Sequence, residues 1–406
     1  MRIGKEKVEI RSRNIPILFV SEVIYGLLFF LPILALYYEE SLFTVTNVAI
    51  VFAVEAFCVV LFEVPTGAIA DLFGRVRSIN LAYISALLAL VFLAVGGSML
   101  MFILYAVINA FARSLTSGTI SALIYDSLKE EKKEQYFKKV MGNMLALWPL
   151  GASVGSILGG YMAAVSLRTP VLFSFVPVAI ALVMTFFMKE PNYEREPDKN
   201  ILKHMLVSSK VIFRSRQLFI IAAACLIMSS LGETIHRLDG IYFEFKQIPI
   251  VYFGFISAFI YGMSAAGHYL SYGISKKLGN KAALVIAYIL SPLLTLLATF
   301  ATGFGAAALF IIPSLSYGIK NPIIDHLINA EIPSSLRATV LSVNNFIGQL
   351  GFALAAPAVG FFSQVYDINI AIRISAMILF VVPVLFLLLK RERRETGQSS
   401  TVDISR

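Results

Sequence analysis

A chain of 406 residues that is 58% hydrophobic and only 15% charged, with a mean hydropathy of +0.80, has too little polar side chain to cover a soluble globule of its size. The net charge of +9 does not point to nucleic acid, because no polar stretch is long enough to build a basic groove. Apolar runs of the ~20 residues needed to cross a bilayer recur along the chain, which predicts membrane helices and excludes a barrel of ~10-residue alternating strands.

In chain order, the N-terminal MRIGKEKVEIRSR is basic and leads into an apolar run too long, and without the small-residue site, for a cleaved leader, so we read a retained first span. Hydropathy over a ~19-residue window predicts twelve spans. They are Ile15–Tyr38, Thr46–Ala70, Ser78–Ser98, Leu100–Tyr125, Val140–Val165 and Thr169–Met188, then Gln217–Tyr242, Ile250–Gly273, Ala282–Thr302, Gly303–Leu327, Leu336–Phe362 and Ile368–Leu389. Between the sixth and seventh, the polar stretch 189–216 carries Pro191, Pro197 and many charges and reads as a cytosolic linker. The expected organisation is a six-helix half over 1–188, the linker 189–216, a second six-helix half over 217–390 and a tail over 391–406. Most of the 34 Lys and Arg fall on the side of the termini and the linker, and the opposite loops, Tyr38 to Val45 and Val95 to Ser98, are short and nearly free of positive charge. By the positive-inside rule this is a multi-pass plasma-membrane protein, all-α, with both termini cytosolic. Cys58 and Cys225 lie inside spans as small apolar residues, so no disulfide, metal or cofactor is expected. A weak internal echo, Asn143, Ser156 and Gly159 against Asn344, Pro357 and Gly360, relates the fifth span to the eleventh. Six plus six spans about a long middle loop suit a rocking transporter with a midplane site.

Between the second and third spans, Gly67, Asp71, Gly74, Arg75 and Arg77 follow a G-x-x-x-D-x-x-G-R-x-R pattern. This resembles motif A of the major facilitator superfamily, and span count and topology extend the resemblance over the whole chain. The resemblance implies a conformational latch: Gly67 packs closely, Asp71 stands at a helix end, Arg75 is its charged partner, and Asp126 adds a second acid. The matching loop of the second half, Lys276 to Lys281, keeps Gly279 but has no aspartate, so the latch is expected to be one-sided. Gly142, Gly151, Gly155, Gly159 and Gly160 are similar to the family's motif C, associated with antiporters, with Ser156 in place of its usual proline. Arg113 resembles the motif B arginine, the glycine displaced to Gly118.

Charges inside the membrane are costly and therefore candidate working groups. Glu22 lies roughly 12 Å into the first span at 1.5 Å per residue, and Arg113 at a similar depth, so an ion pair between them is expected, either as a proton-coupling device or as a fixed structural pair. Glu233, His236 and Arg237 share one helix face in the seventh span, as a proton relay or, with Asp239 and Glu244 following, as an outer gate of ion pairs. Arg113, Lys320, Asn321, Asn344, Asn345 and Gln349 are the cavity and substrate candidates; Glu63 is assigned to the latch, and Glu55 is left without a direction. His268 reads as a packed residue rather than a ligand. No HExxH or P-loop lysine motif occurs, so catalysis is not expected. The expectation is a monomeric, proton-coupled exporter of small organic or amphipathic compounds. Proton-coupled uptake of a metabolite, and a sensor or lipid-handling protein on the same fold, are the alternatives.

Overall fold

A computed structural model of the chain describes residues 2–3, 6–7, 11–192, 212–332 and 337–389. The expected linker is described only at 189–192 and 212–216, and the tail 391–406 lies outside the described residues. Apart from a short antiparallel pairing of Arg2–Ile3 with Glu6–Lys7, the described regular structure is helical.

Among the described residues, twelve helical stretches are long and apolar enough to cross a membrane: Asn14–Leu42, Val45–Glu63, Arg75–Val95, Met99–Glu130, Glu134–Ala163 and Arg168–Thr185, followed by Arg216–Arg237, Ile250–Leu278, Asn280–Ala298, Gly303–Glu331, Val340–Val365 and Ile368–Leu387. They coincide with the twelve runs picked out by hydropathy. Four of them start at a side-chain cap: the hydroxyls of Thr44, Ser98 and Ser215 and the carboxylate of Asp367 each accept a hydrogen bond from the backbone N–H three residues on. The second span continues as helix to Phe73 and stops at Gly74, whose φ of +106° only glycine adopts freely, and the third begins at once at Arg75.

Several spans are interrupted, for two reasons. Breaks at Ala146, Ser174 and Phe380 each lie three residues before a proline, Pro149, Pro177 and Pro383, which has no N–H to offer the carbonyl four residues back. Other breaks have no proline. The first span is helical over Asn14–Gly26, loosens, and resumes as a tight turn over Leu31–Ile33. The fourth stops at Thr116 and restarts at Thr119 past Gly118, at φ +75°. The seventh widens into a π-helical turn over Ser229–Glu233.

Glycines decide how the bundle closes. Gly151, Gly155 and Gly159 set the fifth span directly against the backbone of the first at Val23, Gly26, Leu27 and Phe29, where an added Cβ has no room. The second span packs along the eleventh and the fifth along the eighth, an exchange that fits the echo between fifth and eleventh. Where the first six spans meet the last six at a described glycine, the approach lies on the face away from the termini. Gly254 meets Ser156 and Ile157, Gly160 meets Val251, Gly360 meets Val45 and Thr46, and Gly240 lies beside Pro32. On the same face Thr46 Oγ1 donates to Gln364 Oε1 at 2.6 Å. The molecule is therefore closed on that face.

Candidate functional site

Two adjoining cavities of about 190 and 350 Å³ open between the first, fourth and fifth spans and share Glu22, Thr116, Ile120 and Trp148 in their walls. Tyr25, Tyr83 and Trp148 make the wall aromatic, with Tyr25 and Tyr83 edge to face at 4.9 Å. Trp148 in turn meets Tyr261 of the eighth span at 6.0 Å, so this wall reaches the second set of six spans. The break of the fourth span borders this space, with Thr116 and Gly118 in its lining. Glu22 is its acid. Its carboxylate accepts a hydrogen bond from Tyr83 Oη at 3.4 Å, and it has no cationic partner among the described residues.

The expected pair between Glu22 and Arg113 is not formed. Arg113 Nη1 donates instead to Glu55 Oε1 at 2.8 Å, and Asn109, one helical turn earlier, donates to the same oxygen at 2.9 Å. The other oxygen faces Arg237 Nη1 of the seventh span at 3.5 Å, and Arg237 Nε also holds Glu233 Oε1 at 3.1 Å. Glu55, only 4% exposed, is thus clamped between an arginine of the fourth span and one of the seventh. Phe52 and Phe352 stand beneath the Arg237 guanidinium at 5.4 and 5.9 Å. His236 turns to Asp239 at 3.2 Å rather than into the clamp.

Glu55 is the residue that sequence reading left unassigned, and a signal for it existed. It lies ten residues into the second span, as Asn109 does in the fourth. Both spans start on the same face, so at ~1.5 Å per residue both side chains sit ~15 Å deep. Depth matched Arg113 to Glu22 as well, and depth does not say which side of a helix a residue is on.

The charged residues expected to form a latch, Asp71, Arg75 and Asp126, lie together. Arg75 is hydrogen-bonded to Asp71, and its Nε lies 3.7 Å from Asp126 Oδ2. The carboxylate of Glu190, just beyond the sixth span, caps the third, accepting from the backbone N–H of Arg75 and, at 2.9 Å, of Val76. A Cβ on Gly74 would strike that carboxyl group, which gives this glycine a second constraint besides its φ. Gly67 does not have the packing role expected of it, since a Cβ there meets nothing within 4 Å, and the same holds for Gly142 in the glycine series. Arg77 is exposed and joins no ion pair among the described residues. Glu63 lies against Ser342 of the eleventh span and not within the latch.

Of the remaining candidates, Lys320 is 5% exposed, Asn345 is exposed, and Asn321, Asn344 and Gln349 are half-buried. His268 is exposed and hydrogen-bonded through Nδ1 to Ser264 O at 2.8 Å. Among the described residues no three His, Cys, Asp or Glu converge as a metal site.

Comparison with known proteins identifies the architecture. The profile of the Major Facilitator Superfamily matches residues 18–356. An uncharacterised MFS-type transporter, YxaM of Bacillus subtilis strain 168, is 23% identical over 88% of this chain and 90% of its own. A cis,cis-muconate transport protein of Acinetobacter baylyi is 25% identical over 82% and 83% respectively. Among solved structures, the nucleoside transporter NupG superposes with a TM-score of 0.75 at 16% identity, over 93% of this chain and 98% of its own. A bacterial homologue of the human lysosomal transporter Spinster, inward-facing and unoccupied, superposes with 0.74 at 12% identity, over 94% and 97%. At such identities the structures establish the fold alone, while the profile covers most of the chain. Twelve membrane-crossing helices, interrupted spans around a polar interior and a family match of this extent lead to one assignment: the chain belongs to the major facilitator superfamily and is a membrane transporter of small molecules.

Proposed function

We propose that this transporter works by proton-coupled alternating access, exporting a small organic or amphipathic compound across the plasma membrane, with both termini cytosolic, as a monomer of two rocking six-span halves. The observation that carries the reading is Glu22. It stands in a cavity wall with a tyrosine hydroxyl, and no cation, as its partner among the described residues. A carboxylate placed there loses its charge by taking a proton, and a cavity that faces the two sides in turn lets it collect that proton on one side and release it on the other. Glu233, already held by Arg237, and His236, held by Asp239, serve the gate rather than the proton path. The Asp71, Arg75 and Asp126 cluster, on the opposite face from the closed one, is the latch that tightens when the cavity changes sides. Export is favoured by the glycine face of the fifth span.

The test is flux into proteoliposomes of labelled organic cations, neutral compounds and carboxylates under an imposed pH gradient. Glu22→Gln is expected to abolish the gradient-driven component and leave solute binding in place. Gradient-driven flux that survives this substitution overturns the assignment of Glu22. A second reading, uptake of an organic anion together with a proton, is supported by the buried Lys320 and by a relative described as a cis,cis-muconate transporter. The same assay separates the two by direction: movement with the proton gradient means uptake, movement against it means export.

A further inference from the structure

The charges of the central network balance, with one exception. Arg113 and Arg237 are matched by Glu55 and Glu233, and His236 leans on Asp239. Lys320, midway along the tenth span, is 5% exposed, and its ammonium makes no hydrogen bond or ion pair among the described residues. Its neighbours are aromatic faces: Nζ lies 4.9 Å from the ring centre of Tyr288 and 4.8 Å from that of Tyr317. Ring faces attract an ammonium, yet they return less than the charge loses on leaving water. The acid within electrostatic range, Glu233, is already paired with Arg237, so the site lacks an anion of its own.

Polar groups around Lys320 are left open as well. Asn344 Oδ1 of the eleventh span is buried without a hydrogen-bond partner, and so is Ser316 Oγ, one turn before Lys320. Cys225 of the seventh span neighbours both Asn344 and Lys320. Just beyond Cys225 the seventh span carries its π-helical turn, whose Ser229 and Ser230 face Gly348 and Gly351 of the eleventh span. Such turns accompany functional sites because the extra residue re-aims the side chains around it. Tyr317 is 50% exposed, so one wall of this corner is open. An amide can present its two N–H donors in place of its oxygen by a half-turn, which lets Asn344 serve a carboxylate together with the Lys320 ammonium.

We propose that Lys320 is the anchor for an organic anion: the transported solute carries a carboxylate that pairs with Lys320 and Asn344 and a planar body that lies against Tyr317. This rests on the chain's transporting a small organic solute, and it holds for either direction and with or without Glu22 as the proton carrier. An anionic solute supplies the charge that the corner lacks, so the ammonium crosses the occluded state as a neutral pair.

The test uses the full-length protein in detergent and its thermal unfolding with benzoate, terephthalate and fumarate, each beside its amide, and with benzylammonium. At least one carboxylate is expected to raise the unfolding temperature where its amide and the ammonium do not. Lys320→Arg keeps that stabilisation, and Lys320→Gln and Lys320→Met weaken the carboxylate's affinity by roughly tenfold or more. Without ligand, Lys320→Met is expected to be at least as stable as the parent, because it removes an unmatched buried charge; a structural ion-pair lysine would give the opposite result. The proposal is overturned if no carboxylate stabilises the protein, if the amides do so equally, or if the effect survives Lys320→Gln. Glu22→Gln, run in parallel, separates this from the coupling assignment: carboxylate binding persists there even where gradient-driven flux is lost.

Discussion

At the scale of single residues, Glu55 shows what a buried carboxylate can and cannot do. Two guanidinium groups and an amide converge on it, one arginine from each set of six spans, so it is a tie and not a free acid. Removing one member of such a cluster leaves the others buried and uncompensated, which costs more than the cluster contributes when complete. Glu55→Gln is therefore expected to destabilise the protein by about 3 kcal/mol or more, measured by unfolding in detergent. Arg237, with a side chain 26% exposed, should cost more to replace by glutamine than Arg113, which is 43% exposed and can turn to water. Glu55→Gln combined with Arg237→Gln is expected to be less destabilising than the sum of the two, by about 1 to 3 kcal/mol. Additive losses, or a cheaper Arg237 substitution, rule out the clamp. The depth of Glu55 was legible from the chain, but the choice of Glu55 over Glu22 as the partner of Arg113 was not, because both sit at depths that suit Arg113 and only the rotation of each helix distinguishes them.

At the scale of elements, apolarity predicted the spans and chemistry at their ends predicted the stops. The start of the third span at Arg75 rather than Ser78 follows from Gly74 and from the Glu190 cap, a contact across more than a hundred residues that no local pattern announces. The loosened stretch of the first span was equally hidden, because Leu27 to Phe30 is as apolar as a helix would be there. What marks it is the glycine face of the fifth span, which presses its backbone onto that stretch, and Ser174 Oγ, which accepts the otherwise unbonded N–H of Phe29 at 3.0 Å. At the entry to the first span, outside the membrane segments, Glu131 ties down the chain before Asn14 by accepting from the N–H groups of Arg11 and Ser12 while Lys133 lies 2.7 Å away. Burial pushes against its charged form, but Lys133 and those N–H groups outweigh it and hold the Glu131 carboxyl below the usual carboxylate range. A carboxyl with a lowered folded pKa contributes stability that is full above the unfolded value, near 4.5, and is lost as pH falls through the folded value. Glu131→Gln is accordingly expected to lower stability by on the order of 1 kcal/mol at neutral pH, with the gap to the parent narrowing below about pH 4.5. A gap that is constant with pH would mean that Glu131 acts through packing alone.

At the scale of the whole molecule, the twelve-span architecture was readable from hydropathy and charge, whereas the state of the bundle was not, because one sequence must encode every state the transporter visits. The closed face is held by backbone contacts that depend on having no side chain. Gly254 abuts Ser156 and Ile157, and Gly360 abuts Val45, Thr46 and Ala49, with the Thr46 to Gln364 hydrogen bond between side chains at the rim. Close-packed contacts of this kind are either made or broken, so a wedge does not bend them but shifts the population toward the state in which they are apart. Gly254→Val places two methyl groups against the carbonyl of Ser156. Overpacking of this kind costs about 1 to 3 kcal/mol, and it is charged only to the state closed on this face. That corresponds to a roughly 5- to 150-fold shift toward opening there. Spin labels on the exposed Val165, just past the fifth span, and Tyr252 of the eighth, which flank the contact, should report a longer distance distribution in Gly254→Val than in the parent. The same substitution at Gly262, where a Cβ meets nothing within 4 Å, should leave the distribution unchanged. If both variants behave alike, the glycine contacts are incidental to closure and the polar tie at Glu55 carries it.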